Sequence, residues 1–526
     1  MEEQNRSAAN FSVDNINARL VLLIVGVLCF APLFLSPVAP LVDFYAHIAR
    51  YYVLANINES SSLLQYYQAE WRLLPNLGMD ILGTGIMHLL PPMAASKVLL
   101  FVIVGAPFLG ALYLSYVVQG RLTVTGIILA GALAHSHILI WGFANFLLGL
   151  GIALGSLGLW IRLRDRPALQ LATGAVLAVT LICVHGLVFA FWGFLLGCVE
   201  LTQAWEEKNL RIVPLAKRMG RLLLLAVIPF VMFLQTSTVG AEGGVSQAFT
   251  NLGIHAKSGT LWPRIFEEII RRFDALVRAS DSQNPIYDRV LGAVLWLTIA
   301  AGVLSGALNI NRKVWGALLG AGLLFVFLPP NILGVGHLEE RPPLLLLALT
   351  AAGLTYNAGS RLKNLFVLVI AGVFLAHSAL VFVNWGFHGA AYREYIASVR
   401  QSDTGKMAIA LFVSKELDRD TFRPNCKPLL FLMLLENGTA VPTFAYATQQ
   451  PLSLKGPMQE MLDQLNKEIG PRRQTHNAAE RDRALASAFS AGAGSVVACE
   501  NGPRPPSETA RILGQGDVWT IYGPKP

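Results

Sequence analysis

What most limits how this chain can fold is a succession of long apolar runs. Several reach the roughly 17–25 residues that a helix needs to cross a bilayer, and the first extends from Leu20 to Val38. Of the 526 residues, 54% are hydrophobic and 14% charged, where a soluble protein carries about 25% charged residues. Mean hydropathy is +0.51. The fold class expected is therefore a polytopic α-helical membrane protein. The net charge of +8 carries no nucleic-acid signal, because most of the excess sits in loops between the runs. The first run lacks a small-residue cleavage site and reads as a retained span.

Eleven spans are expected, at about 20–38, 97–118, 122–139, 143–161, 168–184, 186–204, 222–239, 289–310, 314–329, 343–357 and 364–384. An odd number puts the termini on opposite sides. Arg6, Arg19, Arg121, the triplet Arg162/Arg164/Arg166, the cluster from Lys208 to Arg221, Arg312/Lys313 and Arg361/Lys363 all fall on one side. The positive-inside rule makes that side cytoplasmic. The cytoplasmic tail is then 1–19 and the membrane part 20–385. Loops 39–96, 240–288 and 330–342 face the other side. Leu73–Pro92 is apolar, yet it holds Asp80, His88 and Pro91-Pro92, and a twelfth span there would invert the later loops. It reads as re-entrant or interfacial. The 240–288 segment opens with Gly240, Gly243 and Gly244. It continues into apolar positions at Ile265, Ile269, Ile270, Phe273 and Leu276 among charges, the pattern of a helix lying on the membrane surface.

Residues 386–526 are mixed polar and long enough for a small extracytoplasmic α/β domain. Strands are expected at Pro428–Leu435, Val441–Ala447, Ser495–Ala498 and Val518–Tyr522, and helices at Tyr392–Val399 and Asn477–Phe489. Cys426 and Cys499 are the two cysteines of this region, each beside an expected strand, and an oxidising compartment favours pairing them.

The unusual polar residues collect on the non-cytoplasmic side. Asp43 follows the first span and starts the stretch Asp43-Phe-Tyr-Ala-His-Ile-Ala-Arg50, which places Asp43, His47 and Arg50 on one helical face. His135, His137, Trp141 and Asn145 mark the next outer turn, His185 another, and His337, Glu339, Glu340 and Arg341 the last loop. Span interiors hold few ionisable groups, so chemistry belongs at the membrane interface. A lipid-linked phosphosugar is the donor type that suits that place. Transfer from it needs a carboxylate to take a proton from an acceptor hydroxyl and cations to meet the departing phosphate.

The Asp43–Arg50 stretch, Leu74-Pro-Asn-Leu-Gly-Met-Asp80, Trp141-Gly-Phe-Ala-Asn-Phe-Leu-Leu-Gly-Leu150 and Glu339-Glu-Arg341 resemble bacterial integral-membrane glycosyltransferases of the GT-C type. The resemblance covers about 20–385. It implies a bacterial inner-membrane enzyme taking a sugar from a polyprenyl-phosphate donor to a glycan, lipid or protein acceptor. Asp43 would be the base, and Arg341, with His337 or His47, would stand at the phosphate. Arg50, Asp80, Glu339 and Glu340 complete the candidate substrate-binding set. One acid stands at 43 where better-known members carry a pair, which leaves divalent-metal use open. The alternatives are a transporter or flippase of a lipid-linked envelope substrate, and a non-enzymatic envelope assembly protein. Asp43 is also well suited to cap an interfacial helix.

Overall fold

A computed structural model describes residues 17–234, 261–330, 336–412, 426, 428–445, 450–470, 475, 477–499 and 507–525. Arg6 and the glycines at 240, 243 and 244 lie outside them. The protein is a multi-pass helical membrane protein. Among the described residues, six helices are long and apolar enough to cross a bilayer: Pro92–Gln119, Ala144–Arg162, Pro167–Val184, Gly186–Glu206, Pro285–Leu304 and Lys363–Gln401. Each of the other five expected runs also contains a helix, but not one that meets both conditions. Ala18–Phe30, Trp315–Phe327 and Arg341–Gly353 have 13 residues each, about 20 Å against a hydrocarbon core of about 30 Å. Val124–Gly131 has eight residues and is followed by a five-residue helix, His137–Trp141. Ile212–Leu234 is long, but its first half carries Lys217, Arg218 and Arg221. The stretch 73–92 holds a ten-residue helix, Gly78–Met87, too short to span.

Local chemistry explains the boundaries. Pro92, Pro167, Pro285 and Pro342 sit in first turns, where a missing N–H costs nothing. The Asn17 side chain caps the first helix through the Arg19 N–H, and Thr123 caps Val124–Gly131. Two spans cross at backbone contact: a Cβ on Gly110 would lie 2.4 Å from the Gly151 carbonyl oxygen. Small residues allow such approach in a membrane, where packing drives helix association.

The connections gather at two ends. At one, strand Leu308–Ile310 pairs antiparallel with Leu354–Tyr356, Gln119 Nε2 donates to the Gly353 carbonyl at 2.7 Å, and Trp160 Nε1 to Glu200 at 2.9 Å. These are the loops of the basic side. At the other end the 39–96 segment, the turns at 135–142 and 183–186, residues 278–284 and the 336–341 loop meet one another. The helix Leu261–Val277 turns Phe266, Ile269, Ile270 and Phe273 outward. Its Arg272 side chain donates to the Phe325 and Leu328 carbonyls at the end of Trp315–Phe327.

The last span does not stop where the composition changes at 385. It continues to Gln401, 39 residues in all, and enters a four-stranded sheet region as a single rod. That sheet runs in the order Ala408–Phe412, Ser495–Cys499, Trp519–Pro524, Ala510–Gln515, the first pair parallel and the others antiparallel. Helices Leu429–Asn437, Pro457–Ile469 and Ala478–Ser490 complete an α/β unit. The expected strand Pro428–Leu435 is therefore a helix, because its Leu and Met residues favour helix when the run is buried all round. Residues 441–445 carry no strand, and 446–447 fall outside the described residues. Cys426 and Cys499 are joined by a disulfide, Cα atoms 6.0 Å apart. The α/β unit docks on the first loop: strand Leu452–Leu454 pairs with Tyr67–Ala69, and the Tyr67 hydroxyl donates to the Val441 carbonyl at 2.7 Å.

Among the described residues, the most buried ion pair joins Arg50 and Asp80. Arg50 Nε donates to Asp80 Oδ1 at 2.6 Å and Nη2 to Oδ2 at 3.2 Å, both side chains 1% exposed. Removing one member of such a pair strands the other charge, at a cost of about 3–5 kcal/mol. Thermal unfolding of the detergent-purified protein should show that loss for Asp80→Ala. The double variant Arg50→Met/Asp80→Leu should recover most of it, and a single variant no worse than the double would refute the pairing. Non-reducing electrophoresis should likewise show a compact form that reductant converts; both thiols alkylating without reductant would remove the bridge.

Candidate functional site

Asp43 occupies the N-cap position of helix Phe44–Asn56, and its carboxylate makes no cap hydrogen bond. Its backbone is held from the side. The Val42 and Asp43 amides donate to the Ile140 and Trp141 carbonyls at 2.8 and 3.1 Å. Gly142 closes the contact: its φ is +80°, and a Cβ there would lie 2.4 Å from the Phe44 nitrogen. Only glycine meets both conditions without strain.

Trp141 carries the contact onward. Its ring lies 4.3 Å, centroid to centroid, from His337, so Trp141 touches Asp43 through its carbonyl and the 336–341 loop through its ring. In that loop Glu340 receives His337 Nδ1 at 3.2 Å and lies 3.5 Å from His137 Nε2. Glu339 is buried and pairs with Arg271 at 2.9 Å rather than with Arg341. The surface helix thus anchors the loop. Arg341 is 4% exposed, its guanidinium 5.1 Å from the ring centres of both Phe143 and Phe146.

The hub of this end is His137. Its Nδ1 lies 2.5 Å from Asp281 Oδ2, which also accepts from Arg278 at 2.7 Å. Its Nε2 faces both the Trp141 indole N–H, at 3.2 Å, and Glu340. Burial alone would favour neutral His137, but the hydrogen bonds to Asp281 and Glu340 outweigh it and raise the pKa to about 9. The same bonds, with His337, hold Glu340 at about 2 against the effect of burial. Asp281 is likewise held low, its burial outweighed by His137 and Arg278. His337 is raised, chiefly by its hydrogen bond to Glu340. Protonated, His137 turns an N–H to Glu340; neutral, it accepts from Trp141.

The other sequence candidates separate. His47 lies under Phe444 of the α/β unit, ring centres 4.9 Å apart, and the Thr443 hydroxyl donates to the Ala46 carbonyl at 2.5 Å. Burial and the Arg50 charge push the His47 pKa well below its usual value, so it is neutral. Arg50 and Asp80 pair with each other inside the protein and not at the 336–341 loop. His135 is packed, with Nε2 2.9 Å from the Cys29 carbonyl. Arg278 and Asp281 escaped sequence reading, although an Arg and an Asp three residues apart after an amphipathic helix is a readable pair. No group of three or more His, Cys, Asp or Glu side chains suited to a metal ion occurs among the described residues.

No family model and no curated protein matches the chain. Among solved structures, ArnT from Cupriavidus metallidurans in the apo state is similar over 96% of this chain and 97% of that one, at 12% identity and a TM-score of 0.47. At that identity and score the likeness fixes neither family nor activity.

A group whose folded pKa is raised stabilises the fold below its unfolded pKa, and that contribution fades as pH rises through the folded value. For His137 the window runs from about 6.5 to about 9. Thermal midpoints of the purified protein should fall across this interval by at most a few kcal/mol equivalent, at ~1.4 kcal/mol per unit. His137→Gln should flatten that slope, and an unchanged slope in the variant would dismiss the assignment.

Proposed function

We propose that the chain is a membrane glycosyltransferase of the GT-C type that takes a sugar from a polyprenyl-phosphate donor on the extracytoplasmic face. The observation that carries this reading is the meeting of Asp43 and the Arg341 loop across Trp141. Asp43 stands at the start of helix Phe44–Asn56, and the Arg341 guanidinium is buried against Phe143 and Phe146.

In this scheme Asp43 takes the proton of the acceptor hydroxyl as its oxygen attacks the anomeric carbon. The bond from that carbon to the phosphate oxygen breaks, and polyprenyl phosphate leaves with its charge met by Arg341. Trp141 offers an aromatic ring beside His337. His337 and Glu340 hold each other, and Glu340 also holds His137, so they keep the loop in register instead of meeting the phosphate directly. His47 is neutral under Phe444 and has a packing role. The basic connections at the opposite end support an extracytoplasmic site by the charge rule, with the α/β unit on the same side as Asp43. The acceptor is a glycan, lipid or protein hydroxyl.

Asp43→Asn, which keeps shape and removes the base, should cut transfer from a polyprenyl-phosphate sugar at least 100-fold, within the range a general base contributes. Membrane expression and the size-exclusion profile should not change. Full transfer by that variant would overturn the mechanism.

A further inference from the structure

Among the described residues, four that are not glycine hold a positive φ: Asn76, Lys208, Gln283 and His337. Lys208 belongs to the basic end, and the other three lie at the site end. Such backbone is strained for a residue with a side chain and persists where its surroundings enforce it. At Gln283 φ is +67°, and three separate bonds enforce it. The Gln283 amide donates to Asp281 Oδ1 at 2.6 Å, a turn closed by an aspartate two residues back. Its side-chain Nε2 donates to the Pro40 carbonyl, and Oε1 accepts from Asn384 Nδ2 of the last long helix at 2.6 Å. Asn384 Nδ2 also donates to the Ser282 carbonyl at 2.9 Å, while its Oδ1 stays buried without a partner.

These bonds account for the residue type. The Pro40 carbonyl needs a donor, and the Asn384 amide nitrogen needs an acceptor. A carboxamide supplies both from one side chain, whereas an ionised carboxylate or an ammonium supplies only one. Asp281 then makes the tie a link between the two parts of the proposed site. Its Oδ1 fixes the Gln283 turn, and its Oδ2 holds His137, whose other nitrogen faces Glu340 of the 336–341 loop. A continuous path of side chains therefore runs from Glu340 through His137, Asp281 and Gln283 to Pro40. It is separate from the backbone bonds that join residues 42–43 to 140–141, and it ends three positions before Asp43.

We infer that Gln283 is a positioning residue, whose strained turn holds the segment leading into helix Phe44–Asn56 in a fixed relation to the Arg341 loop. It touches no reacting atom in this role and acts on Asp43 through Pro40. Misplacing a reacting group by about 1 Å can cost on the order of 100-fold in rate, so strain accepted here serves the geometry. The effect on rate rests on the reading of Asp43 as the base. The tie itself is argued from the bonds and the backbone alone.

Two substitutions test it in the full-length protein in nanodiscs. Gln283→Gly accepts a positive φ without strain and removes the side chain. Gln283→Asn tolerates the same backbone but is one methylene shorter, so it cannot keep both side-chain bonds. Thermal midpoints of both should stay within about 4 °C of the unaltered protein. Hydrogen exchange at the Val42 and Asp43 amides should quicken about fivefold or more. Transfer from a polyprenyl-phosphate sugar should lose about tenfold in kcat, with the donor KM changed by less than about twofold. Unaltered exchange at those amides in both variants would overturn the tie. Quickened exchange with an unchanged kcat would overturn the positioning role. So would failure of both variants to fold, or a rate that falls only in step with the folded fraction, because Gln283 would then be structural. If Gln283→Gly alone fails to fold, Gln283→Asn decides. Retained transfer in Asp43→Asn beside quickened exchange in these variants refutes the base mechanism and leaves the tie standing. Lost transfer in Asp43→Asn beside unaltered exchange refutes the tie alone.

Discussion

The buried Arg50–Asp80 pair is the constraint on which the site end depends. It joins helix Phe44–Asn56 to helix Gly78–Met87, and neither crosses the bilayer. Gly78–Met87 is in turn tied to the spans, through Met79 to Asn145 at 2.8 Å and through the Leu77 amide to the Cys183 carbonyl. Helix Phe44–Asn56 therefore has a fixed floor, and Asp43 at its start a fixed position. Above, the α/β unit covers the same helix through Thr443 and Phe444. A charge pair buried this deeply adds little net stability compared with a well-packed apolar pair, but it tolerates very little displacement.

Much of the architecture was legible because the bilayer imposes it. Apolar length located a helix in every expected run, and the bias of Lys and Arg sorted the connections into two groups that do meet at opposite ends. Length alone did not reveal that several of these helices are short. Residues 122–134 carry no charged side chain, yet the chain leaves the helix at Gly131 and restarts at His137. Pro428–Leu435 misled for a related reason. A run buried on all sides has no periodicity, and only the helical preference of Leu and Met distinguishes it from a strand.

The candidate site divides in the same way. Asp43 and the Glu339-Glu340-Arg341 loop were visible as polar residues in an apolar chain, and Trp141 and His137 as neighbours in sequence. Their joining was not, because it runs through backbone bonds from residues 42–43 to 140–141 and an ion pair from 137 to 281. Arg50 shares a helical face with Asp43 and reads from sequence as a substrate-binding candidate. Its partner lies 30 positions away in a stretch whose own fold was undecided, so its burial left no local mark.

The rod Lys363–Gln401 has a further meaning. At 1.5 Å per residue it is about 58 Å long, roughly twice the hydrocarbon thickness. It runs from the basic end of the bundle into the sheet region without an internal proline or a described break. One unbroken helix thus joins the last span to the start of the α/β unit. The α/β unit also rests on the first loop, at Tyr67 and over His47. A change in the tilt of this span would therefore be carried by one continuous helix toward the α/β unit that covers the helix starting at Asp43.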